Sequence, residues 1–251
     1  MNLDIHGEGS PSRFQKLQSQ LAVIISEAKP GSRLTSEPDL ARELGVSRAT
    51  LREAMRTFEG QGLIRRRQGV GTFVVGHPHV IETGLEVLES IETLARRMQL
   101  DVAMGILMVE RTYATAEVAE ALQVPEGTHL SQVSRTILAD GRPIAYLVDL
   151  LPLDVLSPAD LQEKFTGSVL DLLLQQKSDE ISSSLTEIQA VAAPSDIARS
   201  LEIQRGDVLL KLTARLQAIS GQILDYSLSY FIPGYFRFHV VRRVSGASFN
   251  G

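Results

Sequence analysis

Arginines at 48, 52 and 56 recur at a spacing of four, which on an α-helix sets three guanidinium groups in one row. A second basic cluster, Arg65-Arg66-Arg67, stands just before Gly69-Val70-Gly71. A guanidinium holds its donors in a rigid fork that fits phosphate oxygens and the acceptor pair on a guanine edge. The chemistry these residues offer is recognition of a polyanion rather than bond making. Catalytic apparatus is sparse by comparison. There is no cysteine, hence no thiol nucleophile, disulfide framework or Cys-based zinc site. No Ser-His-Asp spacing and no Gly-rich phosphate loop stand out, and His129 and His239 read as structural. His77 and His79 flank a proline without further ligands nearby, the pattern of a linker rather than a metal site. No catalytic residue, metal ligand or cofactor is expected.

The elements that must carry the arginines follow from local patterning. Leu40, Ala41 and Leu44 give a short helix one apolar stripe, and Gly45 ends it. Ser47 stands at an N-cap position, and Leu51, Ala54, Met55 and Phe58 form the apolar face of the next helix. Such a helix can lie in a major groove with its first residues on the bases while its apolar stripe anchors it from behind. Two β-runs, LIRRR and TFVV, then meet around a glycine-flanked tip. Upstream, a helix opening at Ser12 places Phe14, Leu17, Leu21 and Ile24 behind the pair and ends at Pro30-Gly31.

Charge divides the chain at the same place. Whole-chain charge is −5, but residues 1–76 hold 11 Lys/Arg against 8 Asp/Glu, while residues 77–251 hold 14 against 22. The basic part is the part that carries the arginine row. No apolar run reaches membrane-spanning length and no signal pattern opens the chain, so a cytoplasmic location is expected. The expected organisation is a flexible tail at 1–11, a DNA-binding domain at 12–76, a linker at 77–88 and a second domain at 89–245.

The second part contains an internal repeat. EVAEALQVPEGTHL (117–130) matches DIARSLEIQRGDVL (196–209), with Ala119 on Ala198, Leu122 on Leu201 and Gly127 on Gly206, all offset by 79. At an offset of 80, Arg135 meets Arg215, Gly141 meets Gly221 and Tyr146 meets Tyr226. Each copy reads as a helix followed by a hairpin, the first turning at Asp140-Gly141. Two such units predict an α+β domain: a mainly antiparallel sheet with helices on one face and a cleft between the copies.

Residues 34–75 resemble the winged helix-turn-helix of the GntR superfamily of bacterial transcriptional regulators. The hallmarks are Pro30-Gly31, Leu-x-Ser-Glu at 34–37, GVSRATLREA at 45–54 and GVGTFV at 69–74. Pro38 departs from the usual arginine. The resemblance implies DNA contacts from Ser36, Glu37, Ser47, Arg48, Thr50, Arg52, Arg65, Arg67, Gly69, Gly71 and Thr72. ADGRPIAYLVDLLP (139–152) and DYSLSYFIPGYFRF (225–238) resemble the UTRA effector domain of the HutC-type branch, which shares a fold with chorismate lyase. That resemblance implies a homodimeric, metabolite-responsive repressor on an inverted-repeat operator of double-stranded DNA, with edge strands of the hairpins at 130–152 and 209–232 as dimer surfaces. It also implies effector contacts from Ser90, Ile91, Arg135, Ser168, Asp225 and Tyr230. Helix starts at Ser90 and Ser168 together with Arg135 lead to an anionic ligand as the expectation. Ile137, Leu147, Leu228 and Ile232 stand where relatives have charged residues, which weakens the case for a phosphosugar and puts a carboxylate-bearing ligand at least level with it. The competing reading makes the second domain a lyase-like enzyme fused to a DNA-binding module; turnover of the metabolite, rather than metabolite-reversed DNA binding, would mark it.

Overall fold

The structure is a computed structural model that describes residues 13–60, 62–67, 69–75, 81–165 and 167–242. The chain divides into two compact units, residues 1–78 and 79–251. The tail at 1–11 and both His77 and His79 lie outside the described residues.

In the first unit α1 (Arg13–Glu27), α2 (Glu37–Glu43) and α3 (Arg48–Gly60) precede a hairpin of β1 (Ile64–Arg67) and β2 (Gly71–Val74). Apolar residues at helical spacing make the core: Leu17, Leu21 and Ile25 of α1 meet Leu40 of α2 and Leu51, Met55 and Phe58 of α3. The α1 stripe runs in steps of four, so Ile25 is buried and Phe14, expected inside, is exposed. The segment before α2 lies along β2. Leu34 N–H donates to the Thr72 carbonyl and Val74 N–H to that of Ser32, both at 2.8 Å. Alternation along β2 then turns Thr72 to the core together with Val74, leaving its side chain 5% exposed. Thr72, expected to meet DNA, is therefore a packing residue.

The second unit is organised by a six-stranded sheet in the order β4-β5-β6-β9-β8-β7, antiparallel throughout. These strands are β4 (Val102–Tyr113), β5 (His129–Ala139), β6 (Arg142–Pro152), β7 (Ile181–Ala192), β8 (Val208–Ala218) and β9 (Ile223–Phe231). The order is palindromic, so the two sequence copies are related by a pseudo-twofold between β6 and β9. Helix α5 (Ala116–Leu122) links β4 to β5, and α8 (Ser195–Ser200) links β7 to β8. Asp140 and Gly141 both adopt positive φ, 51° and 70°, as a two-residue hairpin turn requires.

Three features depart from the reading of the repeat. The hairpins are the centre of the sheet, and its edges are β4 and β7. Helices cover both faces: α5 packs on Leu130, Leu150 and Tyr226, whereas α6 (Pro158–Lys164) and α7 (Val169–Lys177) pack on Val133, Leu151 and Leu216 of the other face. Finally, Leu107 opposes Arg135 as Thr186 opposes Ala214, so through β5 and β8 the structural offset between copies is still 79, and it becomes 80 only in β6 and β9. Arg215 is thus one position out of step with Arg135, and a one-residue step in a strand reverses the face.

The stretch read as a linker is only in part a connector. Ile81–Gly84 forms β3, which pairs in parallel with β10 (Phe236–His239) and belongs to the second unit. Ile81 and Phe236 are buried there, an apolar pair that a solvated linker would not supply. Helix α4 (Ile91–Arg97) follows and buries Leu94 and Ala95 in the same core.

Gly71 carries a prediction. Its φ is +137°, and a Cβ there would stand 2.4 Å from Nε of Arg33. Gly71→Ala is expected to destabilise the first unit by about 1–3 kcal/mol through backbone strain alone. Urea unfolding followed by circular dichroism tests it, and a variant as stable as wild type refutes the need for glycine.

Candidate functional site

The first unit presents a polar face at the start of α3. Ser47 caps the helix by accepting from Thr50 N–H at 3.1 Å, and its hydroxyl lies 2.8 Å from that of Thr50. Ser47, Arg48, Ala49 and Thr50 are all exposed, while Leu51, Ala54 and Met55 directly behind them are fully buried. Arg48 makes no ion pair among the described residues. The other two arginines of the row are engaged. Arg52 Nε donates to Glu37 at 2.7 Å and Arg56 pairs with Glu53 at 3.3 Å. Glu37 also faces Arg66 at 3.4 Å, and Arg66 donates to the Arg52 carbonyl at 3.2 Å. Glu37 is thus a brace joining α2, α3 and β1. Ser36 caps α2 by accepting from Asp39 N–H. On the wing, Arg67 lies over the Phe73 ring at 5.2 Å, Arg65 is part-exposed, and Gly69 is open to solvent.

The second unit encloses a cavity of about 590 Å³. Its walls come from α4 and the loop before it, the start of α7, and one face of β5 through β9. Arg135 occupies the floor, 4% exposed. Its Nε donates to Glu92 of α4 at 3.3 Å and its Nη1 donates to Asp149 of β6. Burial disfavours the guanidinium's charge, but Asp149 and Glu92 outweigh it and hold the arginine above its ordinary pKa. Glu92 is itself pushed up by burial, with Arg135 opposing. Asp225 of β9 faces the same cavity and is 7% exposed. Burial, and next the charge of Asp149, hold its carboxyl well above the usual carboxylate range. Oδ1 of Asp225 and Oε2 of Glu92 are buried without a hydrogen-bond partner.

The two helix starts at the rim are already occupied. Ser90 caps α4, accepting from Thr93 N–H at 2.9 Å, and Ser168 caps α7, accepting from Asp171 N–H at 3.1 Å. The Asp171 carboxylate then accepts from both Ser90 and Thr93 hydroxyls, at 2.8 and 2.9 Å. Each helix start carries its own acid, so the expected anion grip meets a negative charge.

Of the six expected effector residues, Ser90, Ile91, Arg135, Ser168 and Asp225 line this one cavity. Tyr230 does not. Asp225, Ser227 and Ser229 alternate into it, so Tyr230 falls on the opposite face, where its ring receives Lys211 at 5.8 Å. The same parity removes Leu228, and Ile137 is sealed in the core; of the expected drying residues, Leu147 lines the wall. His129 tilts against Tyr113 at 4.7 Å, outside the cavity lining. Sequence reasoning missed Glu92, Asp149 and the hydroxyls of Ser182, Ser184, Ser227 and Ser229. Asp149 had a signal: a lone charge within the apolar run Tyr146–Pro152.

Comparison with known proteins places both units. Residues 97–237 match the UTRA domain, and residues 20–74 match the bacterial regulatory proteins, gntR family. The HTH-type transcriptional repressor NagR of Bacillus subtilis (strain 168) is 27% identical over 237 residues, covering 92% of this chain and 96% of that protein. The histidine utilization repressor of Pseudomonas putida is 29% identical over 215 residues, covering 83% and 84%. Among solved structures, PhnF from Mycobacterium smegmatis superposes with a TM-score of 0.60 at 21% identity, covering 91% of this chain and 99% of that one.

A carboxyl whose pKa is raised on folding costs stability as pH climbs from its unfolded value through its folded one. Asp225→Asn removes that cost. The variant is expected to melt higher than wild type near neutral pH, by roughly 2–4 °C for each kcal/mol recovered. The gap should close in acid, where wild-type Asp225 is protonated. Thermal melts across pH check this, and a variant less stable than wild type at neutral pH refutes it.

Proposed function

The chain belongs to the GntR family of bacterial regulatory proteins, in the HutC-type branch that carries a UTRA domain, and we propose that it acts as a metabolite-responsive repressor on an inverted-repeat operator. It is a DNA-binding transcriptional regulator with an effector domain. The observation that carries the finer reading is the run Ser47–Thr50, four exposed residues at the start of a helix whose other side is locked into the core. Arg48 reads a base edge or phosphate there, and Arg65, Arg67 and the Gly69 tip add contacts from the wing. Arg52 is oriented by Glu37 before DNA arrives.

Repression is the role named for the Bacillus subtilis and Pseudomonas putida relatives. A homodimer is supported by the edge strand β4, whose Met104, Ile106 and Met108 are exposed although a lone edge ordinarily carries few apolar residues. A single recognition helix spans few base pairs, and two half-sites restore specificity. The effector fills the cavity around Arg135. Its binding favours one arrangement of the dimer, and operator affinity shifts by the same coupling energy.

Selection of the full chain against a randomised duplex library tests the reading, with enrichment of an inverted repeat expected. On the selected duplex Arg48→Ala should cost about 1–3 kcal/mol, whereas Thr72→Val, altered on the core side, should bind as wild type does. No enrichment over competitor DNA, or unchanged affinity for the Arg48 variant, refutes it. Sedimentation is expected to give twice the 27.5 kDa chain mass; a monomer both on and off the duplex refutes the dimer.

A further inference from the structure

The deepest part of the cavity holds one guanidinium against three carboxylates, those of Glu92, Asp149 and Asp225. Arg135 is already engaged, giving Nε to Glu92 and Nη1 to Asp149, two of its five N–H donors. Two carboxylate oxygens have the opposite problem. Asp225 and Glu92 line the cavity, and Asp225 Oδ1 and Glu92 Oε2 are buried and accept from nothing. A buried acceptor left empty loses its hydration without replacement. The Leu150 backbone N–H favours the charged form of Asp225, yet Oδ1 stays unfilled. The wall from β7, β8 and β9 carries hydroxyls, with Ser182, Ser184, Thr186, Ser227 and Ser229 around Leu212, Ala214 and Leu216, while Leu85, Val87, Ile91 and Phe238 make the facing side apolar.

We propose that the effector of this cavity is cationic: a small amine- or guanidine-bearing metabolite whose N–H donors fill the empty oxygens of Asp225 and Glu92, with polar groups along the serine wall. This rests on the cavity being the effector site and replaces the anionic ligand that the resemblance implied. An organic cation fits better than a metal ion, because the three carboxylates surround the guanidinium and form no metal-holding cluster among the described residues. It also sets a pH signature. The charged groups acting on Asp225 are Asp149 on β6 and Arg135 on β5; Glu92 on α4 faces Arg135, Glu86 and Glu89 of the loop before α4 also line the cavity, and the lining residues of β8, Leu212, Ala214 and Leu216, bring none. A cation prefers the deprotonated carboxyls, so its affinity rises with pH through their raised range. An anion held by Arg135 would show the reverse.

Two measurements on the full chain test this. The first tethers the charge. Ser227 stands opposite Asp149 across β6 and β9 and two residues from Asp225 on the same face. Ser227→Gln and Ser227→Glu match in length, Ser227→Lys is longer, and the three differ in charge. Melting temperatures at about pH 8 should rank Lys above Gln above Glu, and the spread should shrink at about pH 6 as carboxyls protonate. A Glu variant as stable as the Lys variant overturns the proposal. The second uses agmatine and glucose 6-phosphate as probes in thermal-shift titrations. Agmatine should stabilise wild type more at the higher pH and lose that effect in Asp225→Asn, whose own cooperative melt without ligand is the check that it is folded. A larger shift from the phosphate, abolished by Arg135→Gln, overturns it. Duplex binding is read in the same samples. Agmatine stabilisation without any change in duplex affinity supports the ligand class and counts against the regulatory reading alone.

Discussion

The guanidinium of Arg135 is the charge around which the second unit is arranged. It projects from β5, takes Asp149 from the neighbouring strand and Glu92 from α4, and so fastens a helix to the sheet at the floor of a cavity. Taking such ions out of water is costly, and the cost is met only when every lone pair and proton finds a partner. Arg135 goes part of the way to that condition, bonded at Nε and Nη1. Its two acids do not both meet it, and the third, Asp225, is brought in by β9 with nothing donating to its Oδ1. The local charge is therefore unbalanced in the negative direction, and the balance must come from protons or from a ligand.

The cavity exists because the two copies of the repeat are unlike at one layer. By the strand pairing, the counterpart of Arg135 in the second copy is Ala214, and the counterpart of Leu107 is Thr186. The first copy fills its half of the face with a long charged side chain and its partners. The second copy presents Ala214, Ser227, Ser229 and the serines of β7, all short. The sheet is continuous across the pseudo-twofold, so small residues on one side leave space that the other side cannot close. Space, donors and acceptors thus arise from a duplication whose halves kept their backbone and diverged in side-chain volume.

How much of this was legible depends on the range over which the deciding interaction acts. The helix-turn-helix was readable because its signals are local: an apolar stripe at 51, 54, 55 and 58, a cap at Ser47, and a glycine stop at Gly45. Caps at Ser90 and Ser168 were readable for the same reason. Their meaning was not, since the acid that joins them, Asp171, lies 81 residues beyond Ser90. The period of two was enough to find the hairpins but not the parity of Tyr230 or Thr72, because parity depends on which neighbour the strand packs against. Thr72 turned inward once residues 31–34 paired with β2. The long edge strands β4 and β7 alternate weakly, with mostly exposed faces, and gave little signal.

Each unit pairs arginine with acid, and the two pairings differ in what binding can do to them. Arg52 and Glu37 meet in solvent, where an ion pair contributes little and is readily shared. A phosphate can compete for Arg52 at small cost, and the value of Glu37 lies in holding the side chain ready and in bracing β1 through Arg66. The Arg135 set is buried, and there exchange is expensive: removing one partner of such a pair typically costs about 3–5 kcal/mol. A ligand that tried to take Arg135 from Asp149 and Glu92 would have to replace both. A ligand that adds donors where none exist displaces nothing. It meets acceptors that were desolvated in advance, and completing a network in this way leaves the Arg135 pairs in place.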